Sequence, residues 1–301
     1  MTSHLQASIL INNYEYGRFV GQAIESALQQ AGPSHEVIVV DDGSTDDSRD
    51  VIASFGERIR AVFKENGGQA SAFNAGYRLA GGRYVLFLDA DDRFLPGKVA
   101  RVVEVFERTP AAGWLFHRLE KRDAATGDVV AMSRETGSGV RDYRTAMRLG
   151  RARFHSPSTS GLTFRHELLA RILPMPERDG VAVSDNYLKD VAISLAPGVF
   201  LDEVLTTVLL HGENASSKKL ANPRTQAHKT ILTALHVRRR YDHLHLFADR
   251  MFAKGLQIYR RSGAADDDID RLVGAYLDGR SAAARVALDW TARVVPFRAI
   301  R

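Results

Sequence analysis

A chain of 301 residues, 45% hydrophobic and 26% charged, has room for one large domain plus an appendage and too much apolar content for disorder. It has no cysteine, which excludes disulfides, thiolate-held metals and cysteine nucleophiles and leaves oxygen and imidazole as metal ligands. The formal charge of +5 is modest for this length and identifies no partner by itself; Met1 to Gln6 lacks the order of a secretory leader, no apolar run approaches the ~20 residues of a membrane span, and the expected location is the cytoplasm.

The first hundred residues alternate short apolar runs with amphipathic stretches, the pattern of βα units around a mostly parallel twisted sheet flanked by helices. Strands are predicted at Ala7 to Asn12, Glu36 to Val40, Arg60 to Phe63 and Tyr84 to Leu88, each apolar on both faces as a covered strand should be. Helices fall between them near Arg18 to Gln29, Asp46 to Ser54 and Ala70 to Leu79. Ser44, Thr45 and Asp46 are candidate caps for the second, and Gly81-Gly82 releases the chain from the third. A helix over Lys98 to Arg108, a strand over Gly113 to His117 and a hairpin turning at Thr126-Gly127-Asp128 follow.

From Val140 to Pro176 basic, Gly, Ser and Pro residues mix, which reads as loop with short elements and as a place for an acceptor. A helix over Asp185 to Leu195 and two short strands, near Val199 to Leu201 and Leu205 to Leu210, return the chain to the sheet. Beyond Asn222 the pattern is helical. There Ile231, Leu235, Leu244, Phe247, Met251 and Ile258 recur among Arg238, Arg239, Arg240, Arg250, Lys254, Arg260 and Arg261. The plain reading is helices packed on the catalytic domain with a solvated basic face; the sharper ones are peripheral contact with anionic lipid at the inner face of the membrane, or a homodimer.

In open α/β sheets ligands sit at the carboxyl ends of the strands. The first strand delivers Asn12, Asn13 and Tyr14 there, the second Asp41 and Asp42 before Gly43, and the fourth Asp89, Asp91 and Asp92. So many carboxylates at one edge repel unless a cation offsets them. Hard oxygen ligands favour Mg²⁺ or Mn²⁺, and a diphosphate would complete the coordination sphere. Each motif alone has a bland explanation: Asp-Asp-Gly is a common turn, and an acidic triplet is common on surfaces. Their joint occurrence on one sheet points to a site.

ILINNYEYGRFVGQAIESAL (Ile9 to Leu28), EVIVVDDGSTDDS (Glu36 to Ser48), ENGGQASAFNAGYRLAGGRYVLFLDADD (Glu65 to Asp92), SDNYLKD (Ser184 to Asp190) and HGENAS (His211 to Ser216) together resemble a family 2 glycosyltransferase, inverting, with the GT-A (Rossmann-like) fold. The resemblance implies a catalytic domain over 1–221, nucleotide-binding over 1–92 and acceptor-binding over 93–221, with a C-terminal helical region over 222–301. It implies a nucleotide pocket lined by Asn12 and Tyr14, with Asp42 on the base, uracil in the commonest case, and Asp41 supporting the turn. Asn66, Gly67, Gly68 and Gln69 would form the loop beside the nucleotide, where small residues permit close approach. Asp89, Ala90 and Asp91 match the DXD motif, Asp89 facing the ribose or sugar and Asp91 the metal, with Asp92 a further acidic member.

Asp185 matches the aspartate of the family's Glu-Asp pair and is the implied general base; Ser184 stands where the family has glutamate, which removes a supporting acidic contact. His211 matches a histidine that reaches the metal or diphosphate in related enzymes. No processive-synthase signature follows it. The implied reaction moves a sugar from a nucleoside-diphosphate sugar, a UDP-sugar first, to a hydroxyl of a glycan, lipid-linked or small-molecule acceptor in polysaccharide biosynthesis. The alternative is a non-catalytic sugar-nucleotide-binding protein. A nucleotidyltransferase would need a basic Gly-rich loop where Asn12-Asn13-Tyr14-Glu15 stands, and nucleic acid is disfavoured by the acidic edge.

Overall fold

The computed structural model describes residues 5–133, 137–151, 154, 157–177, 185–212, 222–263 and 265–294. Two compact units emerge, one from residues 1–142 with 155–214, the other from 143–154 with 215–301.

The first unit is built on a ten-stranded mixed sheet. Its opening strands are β1 (Ala7–Asn13), β2 (His35–Asp41), β3 (Arg60–Phe63) and β4 (Tyr84–Asp89), all joined in parallel ladders. Helices α1 (Gly17–Leu28), α2 (Ser48–Ala53) and α3 (Gly68–Leu79) make the crossovers. Strands β1, β2 and β4 are apolar on both faces because both faces are covered; β3, at the sheet edge and largely exposed, corrects the expectation of a covered strand there. Ile9 and Ile11 of β1, Val37 and Val39 of β2, and Leu86 and Leu88 of β4 share one core with Val20 and Ile24 of α1. The alternate residues face α3, whose Gly76 is so near Leu10 and Val40 that a Cβ there would lie 3.2 Å from each, and whose Phe73 meets Phe87 edge-on at 4.8 Å.

The second half is less regular. It contains β5 (Asp92–Phe94), α4 (Lys98–Arg108), β6 (Trp114–Asp123), β7 (Val129–Met132), β8 (Gly139–Arg141), β9 (Leu162–Arg165), α5 (Asp185–Leu195) and β10 (Gly198–Leu210). The sheet runs β3-β2-β1-β4-β9-β6-β10-β5, with β7 on β6 and β8 on β10. Strand β9 is antiparallel to both neighbours, β4 and β6, so it joins the parallel half to the rest.

The stretch read as loop with short elements over Val140 to Pro176 holds β9, whose every residue is buried; at four residues it is too short to show a period against the polar run before it. Two further expectations are corrected here. The two short strands after α5 are one strand, β10, with register shifts between Leu201 and Val204 and between Val204 and Thr206; Asp202 and Glu203 break the apolar pattern but not the chain's path. Of the proposed caps only Asp46 reaches α2, accepting from Ser48 N at 3.0 Å. Ser44 turns instead to Asp41 and Asn13, and Thr45 to Glu15.

The second unit is helical. Asn222 Oδ1 accepts from Arg224 N at 3.0 Å and Pro223 takes the first turn of α6 (Pro223–Arg240), the residue types that start a helix best. Helices α7 (His245–Arg261), α8 (Asp267–Leu277) and α9 (Ala282–Val294) follow. Gly255 of α7 lies against Ile231 of α6, and Phe252 stacks on Tyr276 of α8 at 4.0 Å. Part of the basic content is internal: Asp249 accepts from Arg238 at 3.1 Å, from Tyr276 Oη at 2.7 Å and from Arg280, while Arg250 donates to the Gly150 carbonyl and Arg260 to Asp289. Among the described residues no helix is long and apolar enough to cross a membrane.

Candidate active site

The carboxyl ends of β1, β2 and β4 lie side by side because these strands are parallel neighbours, with Asn12 opposite Asp89 and Asn13 opposite Asp41 in register. The adjacent carboxylates at the end of β2 divide their work. Asp41 is fully buried and accepts from Asn13 Nδ2 at 2.8 Å, Ser44 N at 3.1 Å, Ser44 Oγ at 2.5 Å and Arg49 Nε at 3.3 Å. These bonds fix the turn, so Asp41 serves a ligand through the shape it imposes. Asp42 accepts from Lys64 Nζ at 2.6 Å and from the backbone N–H groups of Gly67 and Gly68 at 3.0 and 2.6 Å. It thereby ties the loop at Asn66 to the end of β2 and caps the start of α3. Gly43 makes this possible: its φ is +83°, and a Cβ would stand 2.6 Å from Asn66 N.

Tyr14 is 47% exposed beside this turn. The next residue, Glu15, holds a left-handed φ of 61° without being glycine, a conformation that costs about 1 kcal/mol or more and needs local support. The support is Thr45, whose N–H and hydroxyl donate to Glu15 Oε1 at 2.8 and 3.0 Å. Asn66 is exposed, and Gln69 reaches from α3 to donate to Thr159 Oγ1 at 3.4 Å.

Asp89 closes β4. Asn12 Nδ2 donates to its Oδ1 at 3.2 Å, and its own N–H donates to Ser160 Oγ at 3.0 Å. Burial first, then the Asp91 and Asp185 carboxylates, push its carboxyl up to about 7, against hydrogen bonds from Asn12 and Thr159 that pull it down. Asp185, remote in sequence, therefore bears on the charge of Asp89 together with its near neighbour Asp91. Ala90 is buried in the core on the α1 side, so what it can offer a ligand is its backbone.

Asp91 Oδ2 lies 3.1 Å from His211 Nε2. Phe19 and Tyr16 fix that imidazole, with ring centroids at 4.2 and 5.6 Å. Asp185 opens α5, and its Oδ2 accepts from Lys189 Nζ one turn later at 2.7 Å. The rest of the Ser184 and His211–Ser216 motifs, Ser184 itself and Glu213 to Ser216, lies outside the described residues.

Asp92 points inward. It accepts from Ser160 Oγ at 2.5 Å, and burial, then Asp91 and Asp89, raise its carboxyl well above the usual range. Behind it the fully buried Lys98 donates to Ser160 O at 2.7 Å and Thr206 Oγ1 at 3.0 Å, with its ammonium 3.5 Å above the Phe94 ring. Burial pushes that amine down despite Asp92. Asp92 and Lys98 thus hold the single turn Thr159–Gly161, which in turn presents Thr159 and Ser160 to Asp89.

Among the described residues no three His, Asp or Glu side chains are grouped to hold an ion. Asp91 and His211 pair a carboxylate with an imidazole, a donor set that would suit Mn²⁺ or Mg²⁺ if substrate oxygens completed the shell. The crowding that raises Asp89 is the kind a cation relieves, so the residues present fit such a group. Sequence reasoning missed Lys64, Lys98, Thr159, Ser160 and Lys189. The one signal for the turn was the run of small polar residues at Ser158 to Gly161 ahead of alternating Leu162 and Phe164.

The family model of glycosyl transferase family 2 matches residues 8–172. An uncharacterized glycosyltransferase of Nostoc is 35% identical over 214 residues, covering 70% of this chain and 66% of its own length. The chain spans half or less of the length of other curated relatives that it matches. Staphylococcus aureus TarS 1–349, solved in complex with UDP-GlcNAc, superposes with a TM-score of 0.66 at 17% identity, over 98% of this chain and 89% of that one. A mannosyltransferase from Pyrobaculum calidifontis, in complex with GDP-Man and Mn²⁺, gives 0.53 at 17% identity, over 99% and 86%. The fold is the GT-A fold expected from the motifs.

Proposed function

Because the chain belongs to glycosyl transferase family 2, we propose that it transfers a sugar from a nucleoside-diphosphate sugar to an acceptor hydroxyl with inversion at the anomeric carbon. The observation that carries this reading is that Asp89, at the carboxyl edge of β4, lies under the charges of both Asp91 and Asp185, with His211 3.1 Å from Asp91. The donor-bound structures of TarS and the Pyrobaculum mannosyltransferase support a nucleotide sugar as donor. A UDP-sugar is the first candidate, with Asp42 accepting from the base and Tyr14 beside it. Asn66, Gly68 and Gln69 border the same pocket, and Asp89 faces the ribose or sugar.

The acceptor oxygen attacks the anomeric carbon, the bond from that carbon to the diphosphate oxygen breaks with its electron pair going to the diphosphate, and Asp185 takes the hydroxyl proton. A positioned base of this kind contributes about 10²- to 10⁴-fold. Asp91 and His211 would hold a divalent cation, which when bound stabilises charge on the departing diphosphate. Asn12 orients Asp89 through its 3.2 Å bond, and the Thr159–Gly161 turn braces the same carboxylate from the other side. The acceptor class proposed is a glycan or lipid-linked hydroxyl.

Two substitutions test the assignment. Asp185→Asn is expected to keep Mn²⁺-dependent UDP affinity by calorimetry while losing about 10²-fold or more in turnover; wild-type turnover would remove Asp185 as base. Asp91→Ala is expected to abolish the Mn²⁺ dependence of UDP binding. An unchanged Mn²⁺ requirement would place the ion elsewhere.

A further inference from the structure

Asp185 stands at the head of α5 with its side chain mostly buried. One turn on, Lys189 does what a surface lysine does not. Its side chain is only 5% exposed, and its ammonium donates both to Asp185 Oδ2 at 2.7 Å and to the carbonyl of Pro157 at 3.1 Å. Pro157 leads directly into the Thr159–Gly161 turn, whose Thr159 and Ser160 bond Gln69 and the backbone of Asp89. One amine therefore connects the head of α5 to the segment that braces the end of β4.

We infer that Lys189 is a positioning residue for the transfer step: by engaging Oδ2 of Asp185 and anchoring on Pro157, it fixes the carboxylate rotamer and leaves Oδ1 to receive the acceptor proton. This rests on Asp185 being the base. A buried amine joined to a carboxylate would be a weak stabilising choice on energetic grounds alone, since desolvating both charges costs nearly what their attraction returns. A buried leucine or methionine would serve helix packing as well, and nearby Asp89 and Asp91 give a lysine at this point a different use. The Asp185 carboxylate bears on the charge of buried Asp89, and a cation beside Asp185 offsets that repulsion. The buried stem of Lys189 delivers it to Oδ2.

The sequence offers this pairing only as an i, i+4 acid–base spacing, which on an exposed helix contributes little and carries no functional meaning. Burial and the Pro157 bond set it apart.

The test is a double-mutant cycle on the full chain, read as nucleoside diphosphate released with water as the acceptor hydroxyl from whichever of UDP-glucose, UDP-N-acetylglucosamine and GDP-mannose the wild type turns over with Mn²⁺, alongside UDP calorimetry. Lys189→Met is expected to keep UDP affinity and donor KM within about twofold while kcat falls roughly 10- to 100-fold, the scale of a misplaced reacting group. In the Asp185→Asn background the same change should cause no further fall, because a residue that acts through another has nothing left to orient. Lys189→Arg, which keeps a cation, should recover part of the loss, and it stands in if Lys189→Met fails to fold. Wild-type kcat in Lys189→Met, or an equal fall in both backgrounds, overturns the inference. Wild-type turnover in Asp185→Asn alone overturns the base assignment instead, so the failures are distinguishable.

Discussion

Asp89 sits under two opposed demands. Its position at the end of β4 buries it, and Asp91 and Asp185 crowd it, so its carboxyl is pushed up to about 7. A carboxyl whose folded value lies above its unfolded value near 3.9 favours the fold while protonated, and that contribution is lost as the pH rises through the folded value. Asp89→Asn imitates the protonated form. In chelator, the variant should therefore gain melting temperature over the wild type at pH 8.5, and that gain should shrink at pH 5.5. An equal difference at both pH values would mean that Asp89 is not the strained group. At this scale the sequence was legible where a motif marks a residue and silent on its neighbours. Asp41 and Asp42 are chemically identical there and both are buried; only their folded partners separate the turn-maker, bonded to Asn13 and Ser44, from the group that meets Lys64 and the loop. Nothing local in the sequence betrays that Ser160 and Thr206 will surround Lys98, or Pro157 Lys189.

Elements with their own local code were read well. Strands β1 to β4 and helices α4 and α5 follow from apolar runs, caps and 3.6-residue periodicity within one stretch of chain. Strand β9 was not read, since four residues carry too little pattern and its status comes from β4 and β6 on either side. The long β10 shows the same dependence. Its first residue, Gly198, faces the buried indole of Trp114 across the parallel ladder, and a Cβ there would lie 2.0 to 2.5 Å from ring atoms. Trp114 is fully buried and has no room to yield. Gly198→Ala should destabilise the protein by about 1–3 kcal/mol or more, the range for overpacking a closed core, visible as a lower urea midpoint at unchanged m. An unchanged midpoint would show that the ladder opens there at little cost.

For the whole molecule, ligation is the lever that reports on the site. A ligand that binds only the folded state at a hundredfold excess over its Kd adds ~2.7 kcal/mol. At about 2–4 °C per kcal/mol for a chain above 150 residues, UDP with Mn²⁺ should raise the melting temperature by roughly 5–10 °C, and each alone by much less. Running GDP and dTDP beside it reports base preference in one plate, and a shift with UDP that ignores Mn²⁺ would remove the cation from the donor site. The chain divides between 214 and 215 into a sheet-based unit and a helical one that also takes in 143–154, an assignment that no change of period in the sequence announces. Arg144–Arg148 forms a short helix whose company is chosen by residues a hundred positions on, as the bond from Arg250 to Gly150 illustrates.

The antiparallel insertion at the middle of the sheet also has a consequence for synthesis. As the chain leaves the ribosome, β1 to β4 can pair among themselves, but β4 keeps one side open until Leu162–Arg165 has emerged, because β9 is its other partner. Throughout that interval a nascent chain carries an apolar strand with a bare row of amides and carbonyls, the template on which stray strands add. Translation pauses between Asp89 and Leu162 should accordingly be where this protein is most exposed to aggregation and most in need of a chaperone.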